Sequence, residues 1–245
     1  MEDFWTAPVM EPYIAFETPS YLVLYKPPRM HTVPLREGED NTLLAWAARL
    51  FPEIVKLRGR KEIEGGIVHR LDYETQGLVL CARTEEVFMA FFEQQAAGNI
   101  IKEYEAVCHV DCDRFLSGFP PFPGTISNTL NIIESAFRPF GTGRKEVRPV
   151  LKNNSSNKPQ TLYRTEIAAY TETQARACFS LRIHKGFRHQ IRCHLAWINR
   201  PIFNDPVYGV DWDHPGSENF LALRASSIVF SDPHTKKHLR ISAAR

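Results

Sequence analysis

Gly66-Ile67-Val68-His69-Arg70-Leu71-Asp72-Tyr73-Glu74-Thr75-Gln76-Gly77-Leu78 sets an arginine two residues ahead of an aspartate, in a polar loop between two apolar runs. Ile67 and Val68 read as the end of a buried segment, and Leu78-Val79-Leu80 as the start of a short strand. Gly77 would close the turn between them. A polar loop held between apolar flanks is a common seat for chemistry. An Arg-x-Asp pair alone is also what a surface ion pair of little energetic weight looks like, so the stretch needs a second one to decide its meaning.

That second stretch is Arg182-Ile183-His184-Lys185-Gly186-Phe187-Arg188-His189-Gln190-Ile191-Arg192-Cys193-His194-Leu195-Ala196, followed by Pro201-Ile202-Phe203-Asn204-Asp205-Pro206-Val207-Tyr208-Gly209. Taken together and in this order, the two stretches resemble the RluA-type pseudouridine synthases. In that family the first reads His-Arg-Leu-Asp-x-x-Thr-Ser-Gly-Leu. The second reads Gly-Arg-x-His-Gln-Ile-Arg-x-His-Leu, then Pro-Ile-x-Gly-Asp-x-x-Tyr-Gly. Leu22-Val23-Leu24-Tyr25-Lys26-Pro27-Pro28 is similar to the family's opening strand and Lys-Pro turn. Lys102–Val107 is similar to its Lys-x-Tyr-x-Ala strand, and Phe220–Ala225 to its Leu-x-Leu-His-Ala segment. The resemblance extends from about Glu17 to Ala243. Four positions depart from the pattern: Gln76 for Ser, Phe187 for Arg, Asn204 for Gly and Arg224 for His.

The resemblance implies an RNA pseudouridine synthase, an isomerase that breaks the C1′–N1 bond of a uridine, turns the base and rejoins it through C5. It implies Asp72 as the catalytic carboxylate, acting at C1′ as a nucleophile or at C2′ as a base. Arg192 would pair with Asp72, since a nearby cation keeps a carboxylate ionised and a fork of donors orients it. Tyr104 would lie on the uracil and take the C5 proton. Arg70 would fill the gap left by an extruded base, His69 would brace the loop, and Leu223 would pack beneath the ring. Arg188, His189 and Gln190 join the substrate-binding set. Arg188 lies one helical turn before Arg192, so both would face the cleft. No cofactor is required, and the expected partner is RNA, ribosomal or transfer. A catalytically impaired RNA-binding protein of the same fold and a base-releasing glycosylase are the competing readings. The second would need a further acid–base group, for which Glu74 is the nearby carboxylate.

Composition suits a globular protein with a large core: 245 residues, 43% hydrophobic and 24% charged. No apolar run approaches the length of about 18 residues that a membrane helix needs. Met1-Glu2-Asp3-Phe4-Trp5 lacks the pattern of a secretory signal, so a cytoplasmic location is expected. The five cysteines give no disulfide framework. On a helix His189 and His194 point to different faces, so no metal site is expected among His184, His189, Cys193 and His194. Net charge is only +2, but Arg182–Arg200 carries no acid and Arg138–Lys158 carries only Glu146. Such runs suit phosphate contacts through Arg144, Lys145, Arg148 and Lys185, or are simply solvated faces.

Residues 1–16 read as a lead-in and 17–245 as one catalytic domain, with too little chain ahead of it for an N-terminal RNA-binding domain. A monomer with no obligate protein partner is expected. Helices are predicted over Asn41–Phe51, capped by Asn41; over Thr84–Ala97, capped by Thr84 and ended by Gly98; and over His189–Asn199. Val87, Phe88, Phe91, Phe92 and Gln95 would form the inner face of the second. Strands are predicted over Tyr21–Tyr25, Tyr104–Val110, Thr161–Ile167 and Ala177–Ile183, with a closing hairpin of Ser227–Phe230 and His238–Ile241. Leu151–Gln160 reads as a polar loop. Strands and helices mix without a βαβ rhythm, giving an α+β fold. The family resemblance makes its core one mixed, largely antiparallel sheet crossed by a cleft.

Overall fold

The computed structural model describes residues 8–59, 61–110, 112, 116–124, 131–151, 160–209 and 220–244. Most of the loop expected over 151–160, with Lys152 and Lys158, lies outside the described residues, as do residues 1–7. The elements run β1 (Tyr13–Glu17), β2 (Tyr21–Lys26), α1 (Leu43–Leu50), β3 (Gln76–Ala82), α2 (Glu85–Ala97), β4 (Ile101–Cys108), β5 (Ile132–Phe140), β6 (Glu146–Val150), β7 (Tyr163–Glu172), β8 (Ala177–Ile183), α3 (Gln190–Trp197), β9 (Leu223–Ser231) and β10 (His238–Ser242). The fold is α+β, as expected. Its packing divides into two compact units, Thr6–Glu103 with Arg224–Arg245, and Tyr104–Leu223. The chain passes from the first to the second within β4 and returns at the start of β9.

In the first unit β1, β2 and β3 pair antiparallel in succession, β3 pairs parallel with β9, and β10 closes antiparallel on β9. Every residue of β2 and β3 is buried, so both faces of these strands are covered. On one face Tyr21, Val23, Tyr25, Leu78 and Leu80 pack with Phe88 and Phe91 of α2 and Ile228 and Phe230 of β9. Tyr21, Phe91 and Phe230 meet pairwise at near right angles with centroids 5.3–5.7 Å apart, the edge-to-face geometry that ring quadrupoles favour. The Tyr21 hydroxyl satisfies its polar end by donating to Asp232 Oδ2 at 2.5 Å.

Thr84 caps α2 by accepting from the Val87 N–H, and Gly98 ends it in the left-handed region, both as predicted. Two details differ. The cap of α1 is Thr42 rather than Asn41, its hydroxyl accepting from Ala45 N–H at 3.1 Å. Phe92 is 40% exposed and lies near parallel to Phe88 one turn before it on the helix instead of entering the core. The segment read as a lead-in also contributes a strand, β1, whose Tyr13 ring lies 4.7 Å from that of Tyr25 and nearly parallel to it.

The second unit is built on antiparallel pairs of β6 with β5, β5 with β7, and β7 with β8. β5 and β6 are strands where the sequence suggested only a basic run. Arg138 and Arg148 face each other across their hairpin, which turns through Thr142–Arg144 with Gly141, Gly143 and Arg144 all at positive φ. Burial alternates over Ile132–Ser135 at the start of β5, ahead of the basic run, whereas β6 buries Val147, Arg148 and Pro149 in succession.

Gly77 belongs to β3 and does not close the preceding turn. Its φ is +124°, and a Cβ there would stand 2.3 Å from the Ala225 carbonyl oxygen of the neighbouring β9. Gly77→Ala should therefore lower unfolding free energy by about 3 kcal/mol or more, from left-handed strain plus displaced backbone. Urea denaturation measures this, and an unchanged midpoint would show that β9 yields freely.

Candidate active site

The Asp72 loop owes its shape to two buried side chains, one from the last residue of β2 and one from the chain that follows it. Thr32 is 3% exposed, and its hydroxyl both accepts from the Leu71 N–H and donates to the Leu71 carbonyl, each at 3.1 Å. Lys26, fully buried, donates from Nζ to the carbonyls of Pro27 and Met30 at 2.8 Å and of Tyr73 at 3.2 Å. The residues on either side of Asp72 are thus held by their backbones, while Asp72 itself is half-buried. On the incoming side Val68 N–H donates to Leu80 O and His69 Nε2 accepts from Leu80 N–H at 3.2 Å, so His69 braces the loop against β3. On the outgoing side Thr75 N–H donates to Asp72 O at 3.1 Å, closing a four-residue turn.

Burial pushes the Lys26 ammonium down from 10.5 to about 7, although Asp72 and Glu74 pull the other way. Three donors serve three carbonyls only while the ammonium is protonated. Arg70 is exposed, and its Nη1 lies 3.0 Å from Oε1 of the buried Glu64. Gln76, at one of the departures from the family pattern, is buried and accepts from the Tyr25 hydroxyl at 2.5 Å. Its register partner in β9 is Arg224, another departure.

In the second unit α3 is buried along its whole length. Arg192 is 1% exposed and forms a bidentate pair with Asp205, Nε to Oδ2 at 2.8 Å and Nη2 to Oδ1 at 2.7 Å. Asp205 Oδ1 also accepts from the Val207 and Tyr208 N–H groups at 2.9 and 3.0 Å. Burial alone would raise the Asp205 carboxyl, but the Arg192 charge and these hydrogen bonds together hold it below its ordinary range. Asn204 takes φ 58° just before it, a conformation asparagine tolerates better than most residues, and its Nδ2 donates to Phe220 O. The departure from Gly at this position therefore leaves the turn intact.

Other predicted residues of this unit fall into two groups. Tyr104 on β4 and Leu223 are both nearly buried, at 6% and 2% exposure. His189 sits at φ 55° as the residue before α3, with Nδ1 3.2 Å from the Tyr208 hydroxyl. Arg188 therefore precedes the helix and does not share a helical face with Arg192. Its Nη2 donates to the Arg144 and Glu146 carbonyls at 2.5 and 3.2 Å, which ties it to the β5–β6 turn. Gln190 is buried and structural: Nε2 donates to Arg164 O and Thr165 Oγ1, and Oε1 accepts from Phe187 N–H.

Arg148 is likewise no phosphate-binding candidate. It is 5% exposed, bonded to Ser117 O and Glu146 Oε2, with its guanidinium over the rings of Phe119 and Phe140. Arg144, Lys145 and Lys185 are exposed. His194 lies between Thr165 Oγ1 and Ser135 Oγ at 2.8 and 3.0 Å, and burial pushes its pKa down to about 3, so it is a neutral core residue. Among the described residues no cluster of His, Cys, Asp or Glu is placed to hold a metal ion, and no helix is long and apolar enough to cross a membrane.

Residues 20–197 match the family described as RNA pseudouridylate synthase, which spans most of the chain; the protein belongs to this family. An uncharacterized RNA pseudouridine synthase of Mycoplasma pneumoniae is 27% identical over 99% of this chain and 71% of its own length. Ribosomal large subunit pseudouridine synthase D of Yersinia pestis is 29% identical over 86% of this chain and 57% of its own, and that of Zymomonas mobilis 30% over 80% and 55%. The chain thus spans little more than half the length of these synthase D relatives. Human RNA Pseudouridylate Synthase Domain Containing 1 shares the fold, with TM-score 0.64 and 16% identity over 96% of this chain and 84% of that one.

Thr32 and Lys26 were missed as site residues, although Lys26 stands directly before a Pro-Pro turn. The unfolded chain keeps a lysine near 10.5, so between about 7 and 10.5 it holds more protons than the folded chain, and Lys26 makes stability rise with pH across that window. The wild-type stability minus that of Lys26→Met should be flat below pH 7 and climb above it, as read by urea unfolding at stepped pH. A difference independent of pH would mean that Lys26 titrates normally.

Proposed function

We propose that this protein isomerises uridine to pseudouridine in RNA, with Asp72 as the catalytic carboxylate. The observation that carries the reading is the fixed backbone around Asp72, held at Leu71 by Thr32 and at Tyr73 by Lys26, inside the family's catalytic motif. A reaction at a sugar carbon gains most from a pre-positioned group, because orientation need not be found anew at each turnover.

Asp72 acts at the sugar carbon. Glycoside hydrolysis uses two carboxylates because its leaving group is poor, whereas uracil departs with delocalised negative charge and one suffices. Arg192, its plane set by Asp205, is the second catalytic residue of this reading. Tyr104 lies against the uracil and accepts the C5 proton, and Leu223 packs beneath the ring. Arg70 enters the stack in place of the extruded uridine after releasing Glu64. In this reading residues 17–245 make up the catalytic domain.

Ribosomal RNA is the first substrate to test, since several relatives are named for the large ribosomal subunit; transfer RNA is the second. The reading has the enzyme act as a monomer in the cytoplasm, without metal or cofactor. Arg144, Lys145, Lys185 and Arg188 meet phosphates.

Asp72→Asn should abolish pseudouridine formation while thermal unfolding and RNA affinity stay near wild type. Mapping pseudouridine in total RNA with and without the protein, then with the variant, tests this. Turnover of the variant within tenfold of wild type would remove Asp72 from the mechanism, and release of free uracil would make the protein a glycosylase.

RNA affinity should fall by about 0.7 log unit per log unit of salt for each single-strand phosphate contact. The double variant Arg144→Gln, Lys145→Gln should weaken binding and flatten that slope by about 1.4. An unchanged slope in filter binding at stepped salt would leave the β5–β6 turn as plain solvated surface.

A further inference from the structure

Phe187 stands in the loop between β8 and α3, where the family pattern has arginine. Its ring lies parallel to that of Phe137 on β5, at 3° and 5.1 Å, and 5.0 Å from Tyr163 on β7, inclined by 50°. Tyr163 is inclined by 49° to Phe137 as well. The three rings therefore form a corner, two coplanar in direction and one set as a wall. None is sealed: all three are half-buried.

The corner is rigid. Phe187 N–H is held by Gln190 Oε1 at 3.0 Å, and Gln190 is fixed in turn to Arg164 O and Thr165 Oγ1. Phe137 rests on the ring of the neutral, buried His194 at 5.0 Å. The next residue, Arg188, ties the loop to the β5–β6 turn.

The electrostatic setting is cationic on this side. Lys185 and Arg188 flank Phe187 on the same loop and are exposed. Strand alternation, with Ser135 opposite Tyr163 and Glu134 opposite Arg164, sends Glu134 and Glu166 to the other face of the sheet from Tyr163 and Thr165. There they meet Arg164 and His184 at 3.5 and 3.7 Å.

We propose that the Phe137–Tyr163–Phe187 corner is a stacking site for an unpaired nucleobase of the RNA, separate from the uridine being isomerised. Single-stranded RNA is bound by just this combination of an aromatic face with cations along the backbone path, and stacking accepts any base because every base has a π-face. An acidic or purely apolar peptide fits less well, since the cations beside the rings would have no role for the second and the rings none for the first. The inference rests on the reading that the protein acts on RNA.

The test uses the full chain and a single-stranded oligoribonucleotide carrying 2-aminopurine, whose fluorescence is quenched by stacking. Phe187→Leu keeps a half-buried apolar side chain but loses the ring face. It should weaken binding about tenfold, abolish the quench and leave the salt slope unchanged, because no charge is removed. Phe187→Trp should restore both affinity and quench. Wild-type affinity and quench in Phe187→Leu would overturn the site, as would weakened binding that Phe187→Trp fails to recover. If Phe187→Leu loses its cooperative thermal transition, Tyr163→Leu repeats the test from the other wall. Binding is read without turnover, so the two readings fail separately. A protein that quenches the probe but never forms pseudouridine overturns the isomerase reading alone. Normal isomerisation with an unaltered quench in the leucine variant overturns the stacking site alone.

Discussion

A cation taken out of water must find oxygen, and in each unit of this protein one buried cation does so by fixing the loop that matters. Lys26 spends its three donors on three carbonyls, one of them Tyr73, next to Asp72. Arg192 lays two donors on Asp205, which itself gathers the N–H groups of Val207 and Tyr208. Removing either partner of such an arrangement leaves a buried polar group unsatisfied, which costs more than the bond itself contributes. The loops follow from this: each has a single antiparallel bridge beside it, Ile67 with Cys81 and Ile202 with Cys108, and beyond that bridge side-chain bonds to backbone help order both.

The same rule separates functional cations from structural ones. Arg148 and Arg188 belong to basic runs that look alike in sequence, yet Arg148 is closed inside by Ser117 O, Glu146 and two aromatic rings, while Arg188 stays exposed and donates from Nη2 to two carbonyls. A basic run is therefore a list of charges, not a surface. The cations that stay exposed, Arg144, Lys145, Lys185 and Arg188, come from two loops that Arg188 itself ties together.

The departures from the family pattern are each absorbed locally. Asn204 accepts the left-handed backbone of its turn. Gln76 and Arg224 are register partners on neighbouring strands, and Tyr25 bonds the first. Phe187 builds an aromatic corner with two strand residues, Phe137 and Tyr163. None of them alters Asp72, Tyr104 or Arg192.

The sequence by itself determined the family, through two long motifs in order, and with it the α+β fold. It also determined the elements whose signals are local: α2 with Thr84 and Gly98 at its ends, and β2, whose unbroken apolar run needs no partner to be read. Tertiary structure alone decided the rest. β6 buries Val147, Arg148 and Pro149 in succession, so no alternation marks it as a strand, and its pairing with β5 is visible only in the hairpin. Thr32 is an unremarkable threonine until its hydroxyl meets both backbone groups of Leu71, distant in sequence. Arg188 and Arg192 share a helical spacing, but the left-handed His189 starts the helix between them and separates their roles. Periodicity and motif are properties of neighbouring residues; a hydrogen bond between positions far apart is not, and those bonds are what shape both loops.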